Sequence, residues 1–441
     1  MNDIKWKRNV ALFMTGQGLS LFGSMLVHYA VMWHITLKTQ SGAMMTLIAV
    51  AGALPMFFIS PFGGVWADRY NKKHLINIAD AAIAMFTLVL AVIFSLGIDL
   101  TGLLLVCLVM RALGQGVQSP AVNAFIPEIV PQELLTRVNG ISGSVQSVVM
   151  FASPMAGGAL LSVAPIHMLM YIDVITAIIG ISILLFFVKA PVQSQEKHSG
   201  VPSAIDVGIE NENAGSNTNA KKYFIEISEG LEYIKYHTFV KKLMVLNALF
   251  NIVIAPTAVL TPLQVARNWG DDIWILPMSR SFGAEQRLAS MEAVFFCGMI
   301  LGGLVIGAWG GFKNKSHSMA LFILLHSIGI IGLGLLNNFW IYIAFIGLNG
   351  IFMSMFNAPL MATLQTNVEA AYMGRVFSVL GMIGSLMMPL GMVLWGPLSD
   401  VVSIDWLLIG TGASLFLMSF VFLFDKTLLK AGAPMRSDPK L

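Results

Sequence analysis

Residues 64–73 read Gly64-Val65-Trp66-Ala67-Asp68-Arg69-Tyr70-Asn71-Lys72-Lys73. This polar decapeptide separates two apolar segments, 43–66 and 75–97. About 20 apolar residues suffice to cross the hydrocarbon core of a bilayer, so the decapeptide reads as a tight loop between two antiparallel membrane spans. Gly64 is expected to let two helices approach closely. Asp68 can accept hydrogen bonds from helix-end N–H groups or from a basic side chain. Asn71 is expected to take the left-handed backbone of a tight turn. Arg69, Lys72 and Lys73 are expected to hold the loop at the cytoplasmic lipid surface. A plain positively charged loop is the bland alternative; an acid followed at once by a base, with glycine four residues upstream, argues against it.

The alternation of apolar run and short polar break extends along the chain. Candidate spans are 10–36, 43–66, 75–97, 101–124, 138–163, 166–189, 242–265, 291–312, 319–337, 339–361, 375–399 and 404–424. Hydrophobic residues make up 56% of the 441, and charged residues 11%, against roughly 25% charged in soluble domains. Only hydrocarbon can cover such a surface, and the class is an all-α membrane protein with twelve transmembrane helices. The apolar run after MNDIKWKRNV is too long for a signal-peptide core and no small-residue cleavage site follows it, so an uncleaved first span is expected. Of the 26 Lys and Arg residues, all but Lys38, Arg267, Arg280, Arg287 and the intramembrane Arg111 fall on one side. The positive-inside rule makes that side cytoplasmic, which gives a multi-pass plasma-membrane protein with both termini in the cytoplasm. Cys107 and Cys297 sit in apolar runs of different halves and read as packed thiols.

Residues 191–222 are rich in Ser, Asn and Gly and read as a flexible linker. They divide the chain into an N-terminal six-helix bundle (1–190) and a C-terminal part (223–441). The latter opens with Phe224, Ile227, Leu231 and Ile234 at helical spacing, an amphipathic helix on the inner membrane surface or packed on the bundle floor. Gly64, Trp66, Asn71 and Lys72 recur as Gly307, Trp309, Asn314 and Lys315, each 243 residues on. Such a repeat predicts two pseudo-symmetric six-helix bundles, an architecture transporters use.

The loop resembles the signature Gly-x-Leu-Ala-Asp-Arg-x-Gly-Arg-Lys of the major facilitator superfamily, with Trp66, Asn71 and Lys72 as departures. The second copy has Gly311-Phe312 where the Asp-Arg pair would stand. Asp80, Arg111, Ser119-Pro120-Ala121-Val122-Asn123-Ala124, Gly374-Arg375-Val376-Phe377-Ser378, Pro389-Leu390-Gly391 and Asp400 narrow the resemblance to the macrolide-efflux branch of drug:proton antiporters. It implies that Gly64, Asp68, Arg69, Lys72 and Lys73 form a lock between transport states, with the second loop contributing less. Ser153-Pro154-Met155-Ala156-Gly157-Gly158 stands where the family's antiporter motif begins Gly-Pro, which adds Pro154, Gly157 and Gly158 to the lock.

Arg111 lies within a span, where a charge costs roughly 3 kcal/mol on insertion scales, so it needs a cavity or a carboxylate. At ~1.5 Å per residue it lies about 15 Å below the outer end of its span, and Asp173 about 10 Å below the outer end of the sixth. Asp173 is the favoured partner and Asp80 the next; Asp173 serving only as an outer-end hydrogen-bond acceptor is the alternative. Polar stripes mark cavity candidates: Gln17, Ser20, Ser24 and His28 in the first span; Gln115 and Gln118 beside Arg111; Asn139, Gln146 and Ser153 in the fifth; Asn247 and Asn251 in the seventh. Interhelical polar contacts are the competing use of each stripe. His34 and His326 stand alone and read as packing residues. The 28 Met and 28 Phe suit a deformable apolar pocket, although most must pack helices or face lipid.

No Gly-Lys-Ser/Thr phosphate loop, HExxH, paired CxxC or GxSxG is present. The expectation is no cofactor, no nucleic acid and no enzymatic activity, with a proton gradient as driving force. The reading is a monomeric, proton-coupled exporter of hydrophobic or amphipathic small molecules, macrolides among the candidates. The rivals are a lysophospholipid or siderophore exporter of the same fold and, from another class, a non-transporting membrane receptor or assembly factor.

Overall fold

The computed structural model describes residues 3–131, 134–188, 232–269, 273–274 and 281–433. The linker 191–222 and the Phe224, Ile227 and Leu231 face lie outside the described residues. Among those described, twelve helices are long and apolar enough to cross a membrane, as a chain in lipid requires if its backbone N–H and C=O groups are to be satisfied internally.

The helices of the first half are α1 (Asp3–Thr39), α2 (Gly42–Arg69), α3 (Lys72–Ser95), α4 (Thr101–Ile129), α5 (Leu135–Leu161) and α6 (Ile166–Ser182), the last running on as a π-helical turn over Ile183–Phe187. The second half has α7 (Thr238–Val259, continued by Thr261–Asn268), α8 (Ala284–Trp309), α9 (Lys315–Leu335), α10 (Phe339–Asn367), α11 (Ala370–Leu398) and α12 (Ile404–Phe424), followed by the short α13 (Lys426–Ala431). Between α7 and α8 a two-residue antiparallel ladder pairs Ile273 with Phe282 and Trp274 with Ser281.

The repeat seen in the sequence recurs in the packing. Within the first half α1 packs on α5 and α6, α4 on α2 and α3, and α3 on α6. Adding six to each number gives the principal contacts of the second half: α7 on α11 and α12, α10 on α8 and α9, and α9 on α12. The same operation exchanges the two main seams between the halves, α2 on α11 and α5 on α8. Asn71 and Asn314, 243 residues apart, both cap the N-terminus of the helix that follows, accepting from His74 N at 3.3 Å and Ser316 N at 3.0 Å.

Four local expectations are corrected. Asn71 has φ −62° and ψ 112°; it is an N-cap, a task for which a short polar side chain suffices, and not a left-handed turn residue. A Cβ on Gly64 would meet nothing within 4 Å, whereas one on Gly63 would lie 2.5 Å from Gly116 O. The α2–α4 approach is therefore made one residue earlier, a rotation of about 100° around the helix. Lys72 and Lys73 bind protein: Lys72 Nζ lies 2.6 Å from Glu128 Oε1 at the end of α4, and Lys73 Nζ donates to Val188 O (2.8 Å) and Leu185 O (3.0 Å) at the end of α6. Carbonyls at a helix C-terminus carry partial negative charge, which draws the ammonium inward. Finally, α8 begins at Ala284, seven residues before the expected 291, and carries Arg287 as a fully buried side chain that donates to Trp269 O.

The described end of the expected amphipathic helix, 232–236, packs on the protein. Tyr233 and Ile234 are buried, and the Tyr233 ring stacks on Tyr372 at a centroid distance of 4.5 Å.

Candidate functional site

The two halves meet at one end of the molecule, the end opposite the start of α1 and the finish of α12; we call it the distal end and its opposite the terminal end. Helix α2 meets α11 where Gly42 and Gly396 face each other, a contact too close for a Cβ on either, and Thr46 Oγ1 donates to Met392 O at 2.7 Å. Helix α5 meets α8 where Gly158 faces Ala289 and Glu285 O; a Cβ on Gly158 would overlap the Ala289 side chain. Gln286 Nε2 bridges to Ser162 Oγ at 3.4 Å. Gly157 makes ordinary contact with Leu26 O and Trp33 of α1, and Pro154 is buried beside it. Of the glycines of the antiporter-like segment, Gly158 thus lies at this seam, and Gly157 faces α1 of the same half.

A polar latch closes the same end. Asp400, just beyond α11, accepts from Gly42 N (2.7 Å), Ala43 N (3.0 Å), Ser41 Oγ (3.1 Å) and Arg267 Nη2 (2.8 Å). Arg267 also donates to Gln40 O at 2.6 Å. Burial alone would raise the Asp400 pKa; the two backbone N–H groups, Arg267 and Ser41 outweigh it and hold the carboxyl below its ordinary value. Hydrogen bonds from α1, α2 and α5 and the Gln40–Ser41 turn to the second half gather at this end. Toward the terminal end α2 and α11 part, and Gly52, Met56, Ser60, Gly381 and Ser385 line a gap of about 920 Å³.

Inside the first half lies a cavity of about 1060 Å³ lined by Gln17, Ser20, Ser24, Asp80, Gln115, Gln118 and Gln146 among others. These residues of α1, α3, α4 and α5 had been singled out by their stripes or, for Asp80, as an intramembrane acid. Asp80 accepts from Gln118 Nε2 at 2.7 Å and Gln17 Nε2 at 3.5 Å, and the two glutamines are themselves joined at 3.3 Å.

Beside this cavity Arg111 pairs with Asp173. Arg111 Nη1 lies 2.5 Å from Asp173 Oδ2 and 2.8 Å from Thr87 Oγ1, and Nη2 donates to Ser24 O at 3.0 Å. Ser24 Oγ donates to the second Asp173 oxygen at 3.3 Å. Both charged side chains are buried, 4% and 1% exposed. Gly23 permits the arrangement: a Cβ there would stand 3.0 Å from Asp173 Cα, so a larger residue would push α1 away from α6. Of the partners open to Arg111 in the sequence, Asp173 is the one it meets, and Asp80 belongs to the glutamines.

Asn251 lines a second cavity, of about 820 Å³, within the other half. Its Nδ2 donates to Asn247 O at 2.8 Å, so Asn247 supports it from one turn back. His28 lines neither cavity and packs edge-on against Tyr29 with ring centroids 5.8 Å apart. Arg69 is exposed at the end of α2; the side chain of Asp68 lies outside the described residues.

This helix-by-helix symmetry has a sequence counterpart. The profile of the Major Facilitator Superfamily matches residues 10–279 and 273–438. The chain belongs to the major facilitator superfamily. Within the superfamily it is 27% identical over 408 residues to Macrolide efflux protein A of Streptococcus pyogenes, covering 92% of this chain and 93% of that protein. It is 28% identical over 356 residues to Macrolide efflux protein A of Enterococcus faecalis, covering 80% of this chain and 100% of the relative. Among solved structures, a bacterial homolog of the human lysosomal transporter Spinster superposes with a TM-score of 0.70 at 15% identity, covering 98% of this chain and 99% of that one. The nucleoside transporter NupG superposes with a TM-score of 0.66 at 14% identity, covering 96% and 98%. The major facilitator fold, the transporter class and the multi-pass membrane character of the chain follow.

Sequence reasoning missed Glu292. With α8 expected to begin at 291, this acid fell at the membrane edge; with α8 beginning at Ala284 it lies two turns inside and lines the second cavity. The available signal was Glu285 and Glu292, seven residues apart and so on one face of a helix.

Proposed function

We propose that this superfamily member exports hydrophobic or amphipathic small molecules, macrolide-like compounds among them, from the cytoplasm by alternating access coupled to proton antiport. The observation that carries the reading is one-sided closure: two tight seams and the Asp400 latch at the distal end, a gap between α2 and α11 toward the terminal end. With the termini in the plasma membrane's cytoplasmic face, as the Lys and Arg distribution argues, the cavity faces the cell interior, ready to load cargo. The macrolide-efflux relatives support the substrate class.

Coupling is assigned to Arg111 and Asp173. A guanidinium does not surrender its proton at physiological pH, so Arg111 cannot carry one. A proton reaching Asp173 competes with Arg111 for the carboxylate, and the released arginine loosens α4 from α6 and α1. The lock residues at the terminal end, Asp68 and Arg69 in particular, then close that side in the opposite state. The protein works as a monomer in the bilayer, with no cofactor.

The test is erythromycin accumulation in a drug-sensitive strain expressing the chain. Accumulation should fall below that of the empty-vector strain and return to its level when an uncoupler collapses the proton gradient. Equal accumulation with and without the protein would reject the export of macrolides, and efflux indifferent to the uncoupler would reject proton coupling.

A further inference from the structure

The two cavities differ in how their charges are matched. In the first half Arg111 is matched by Asp173 and Asp80 is held by two glutamine amides. In the second half Glu292 lines the cavity one turn inward of Ala289, the residue seated on Gly158 at the seam. Among the described residues nothing hydrogen-bonds to its carboxyl or forms an ion pair with it. The Thr257 hydroxyl, the Asn349 side-chain oxygen and both His326 ring nitrogens, on residues that line the cavity from other helices, are buried without partners. Among the described residues no Lys or Arg lines the cavity, and His326 is the other titratable side chain there besides Glu292. Phe250, Phe295, Met353 and Met388 supply much of the remaining wall.

A carboxylate facing an apolar wall is costly until a proton or a cation neutralises it. Aromatic faces add attraction for a cation, and thioethers adapt to an irregular apolar body. A single acid matches a single positive charge.

We infer that Glu292 is the charge-selecting residue of the cargo site: it takes one lipophilic cationic centre, a protonated or quaternary amine or its equivalent, while the apolar body of the ligand lies against the aromatic and methionine wall. This deepens the export reading and rests on it only for the word cargo. Its position directly beneath the Gly158–Ala289 contact places the bound charge where the α5–α8 seam must part for release.

The experiment uses the purified full-length protein in detergent and two probes that share a triphenylphosphorus body, tetraphenylphosphonium, a permanent cation, and triphenylphosphine oxide, which is neutral. The wild type should bind the cation about tenfold or more tighter than the oxide, the size of one partly desolvated charge contact. Glu292→Gln should abolish that preference by weakening the cation alone, and Glu292→Asp should keep most of it. A Gln variant that binds tetraphenylphosphonium as tightly as the wild type overturns the assignment, as does an equal loss of both probes. Binding needs no gradient. Cation binding lost in Glu292→Gln but no macrolide efflux in cells would sink the export reading alone, and efflux with undiminished cation binding by Glu292→Gln would sink this one alone.

Discussion

A buried ion pair is weak evidence for stability while both partners are present, and a strong liability when one is removed. Arg111→Ala leaves Asp173 in a site 1% exposed with only Ser24 to bind. Its cost is expected at roughly 3–5 kcal/mol, seen as reduced protein in the membrane together with loss of transport. Replacing both Arg111 and Asp173 by Ala should restore the protein level and not coupled transport, and a double-mutant cycle on thermal stability should show the interaction. Additive effects of the two changes would break the pairing. Arg111→Lys should recover little, because one ammonium cannot reach Asp173, Thr87 and Ser24 O as the planar fork does. This pair was legible in the sequence because depth along a helix can be counted, and two charges at similar depth in lipid have few other choices. Gly63 was not legible: Gly63 and Gly64 are equivalent by composition, and only the rotation of α2 against α4 decides which one is crowded. Glu292 was hidden for a third reason, since its neighbours Glu285 and Arg287 made the start of α8 look like a loop.

At the level of the helices, hydrophobic length disclosed all twelve spans, and the 243-residue repeat disclosed their pairing into halves. The seams were not readable, because they depend on what a glycine lacks. Gly158 lets α5 sit on α8 at Ala289 and Glu285 O. Gly158→Ala should force the helices apart at a cost of about 2 kcal/mol, a typical overpacking penalty, or roughly thirty-fold in the ratio of distally closed to distally open protein. Spin labels on cysteines at Ser162 and Gln286, which touch across this seam, report that ratio by pulsed EPR. An unchanged distance distribution in the Ala variant would show that the seam has slack that the Gly158–Ala289 contact denies. The Gly311 backbone, at φ +75°, makes the second signature loop intolerant of Ala for local reasons, so the effects of Gly311→Ala and of changes at Asp68 report different things.

For the molecule as a whole, closure of the distal end combines a packed seam with a charged latch, and the two respond to different variables. The Asp400 carboxyl is held below its ordinary value, so its contribution is complete above the usual carboxylate range and disappears only as pH falls through the lowered pKa. The latch should therefore be indifferent to pH from about 5 to 8, and the 162–286 distance population should not move with pH on its account. Asp400→Asn at neutral pH removes the Arg267 pair, whose side chains are 27% and 32% exposed. A loss of about 1 kcal/mol, about five-fold in the closed fraction, is expected for a pair so placed. A pH-dependent shift in the wild type that vanishes in Asp400→Asn would refute the assignment of the latch as pH-insensitive. Orientation has its own check: a cysteine at Gly97 should react with a membrane-impermeant maleimide supplied outside the cell, and one at Lys313 only after the membrane is opened. The reverse pattern would invert the protein in the bilayer.

The glycine seams also act as insulation. Where Gly42 meets Gly396 and Gly158 meets Ala289, backbone approaches too closely for a methyl group, and too closely for a file of water molecules to conduct ions between the halves. A chain loosened at either place while its terminal side still stood open would short-circuit the membrane potential even when no cargo is present. The burden on a growing cell would then scale with the amount of protein made, and resistance gained by higher expression would be bounded by how well those few backbone contacts seal.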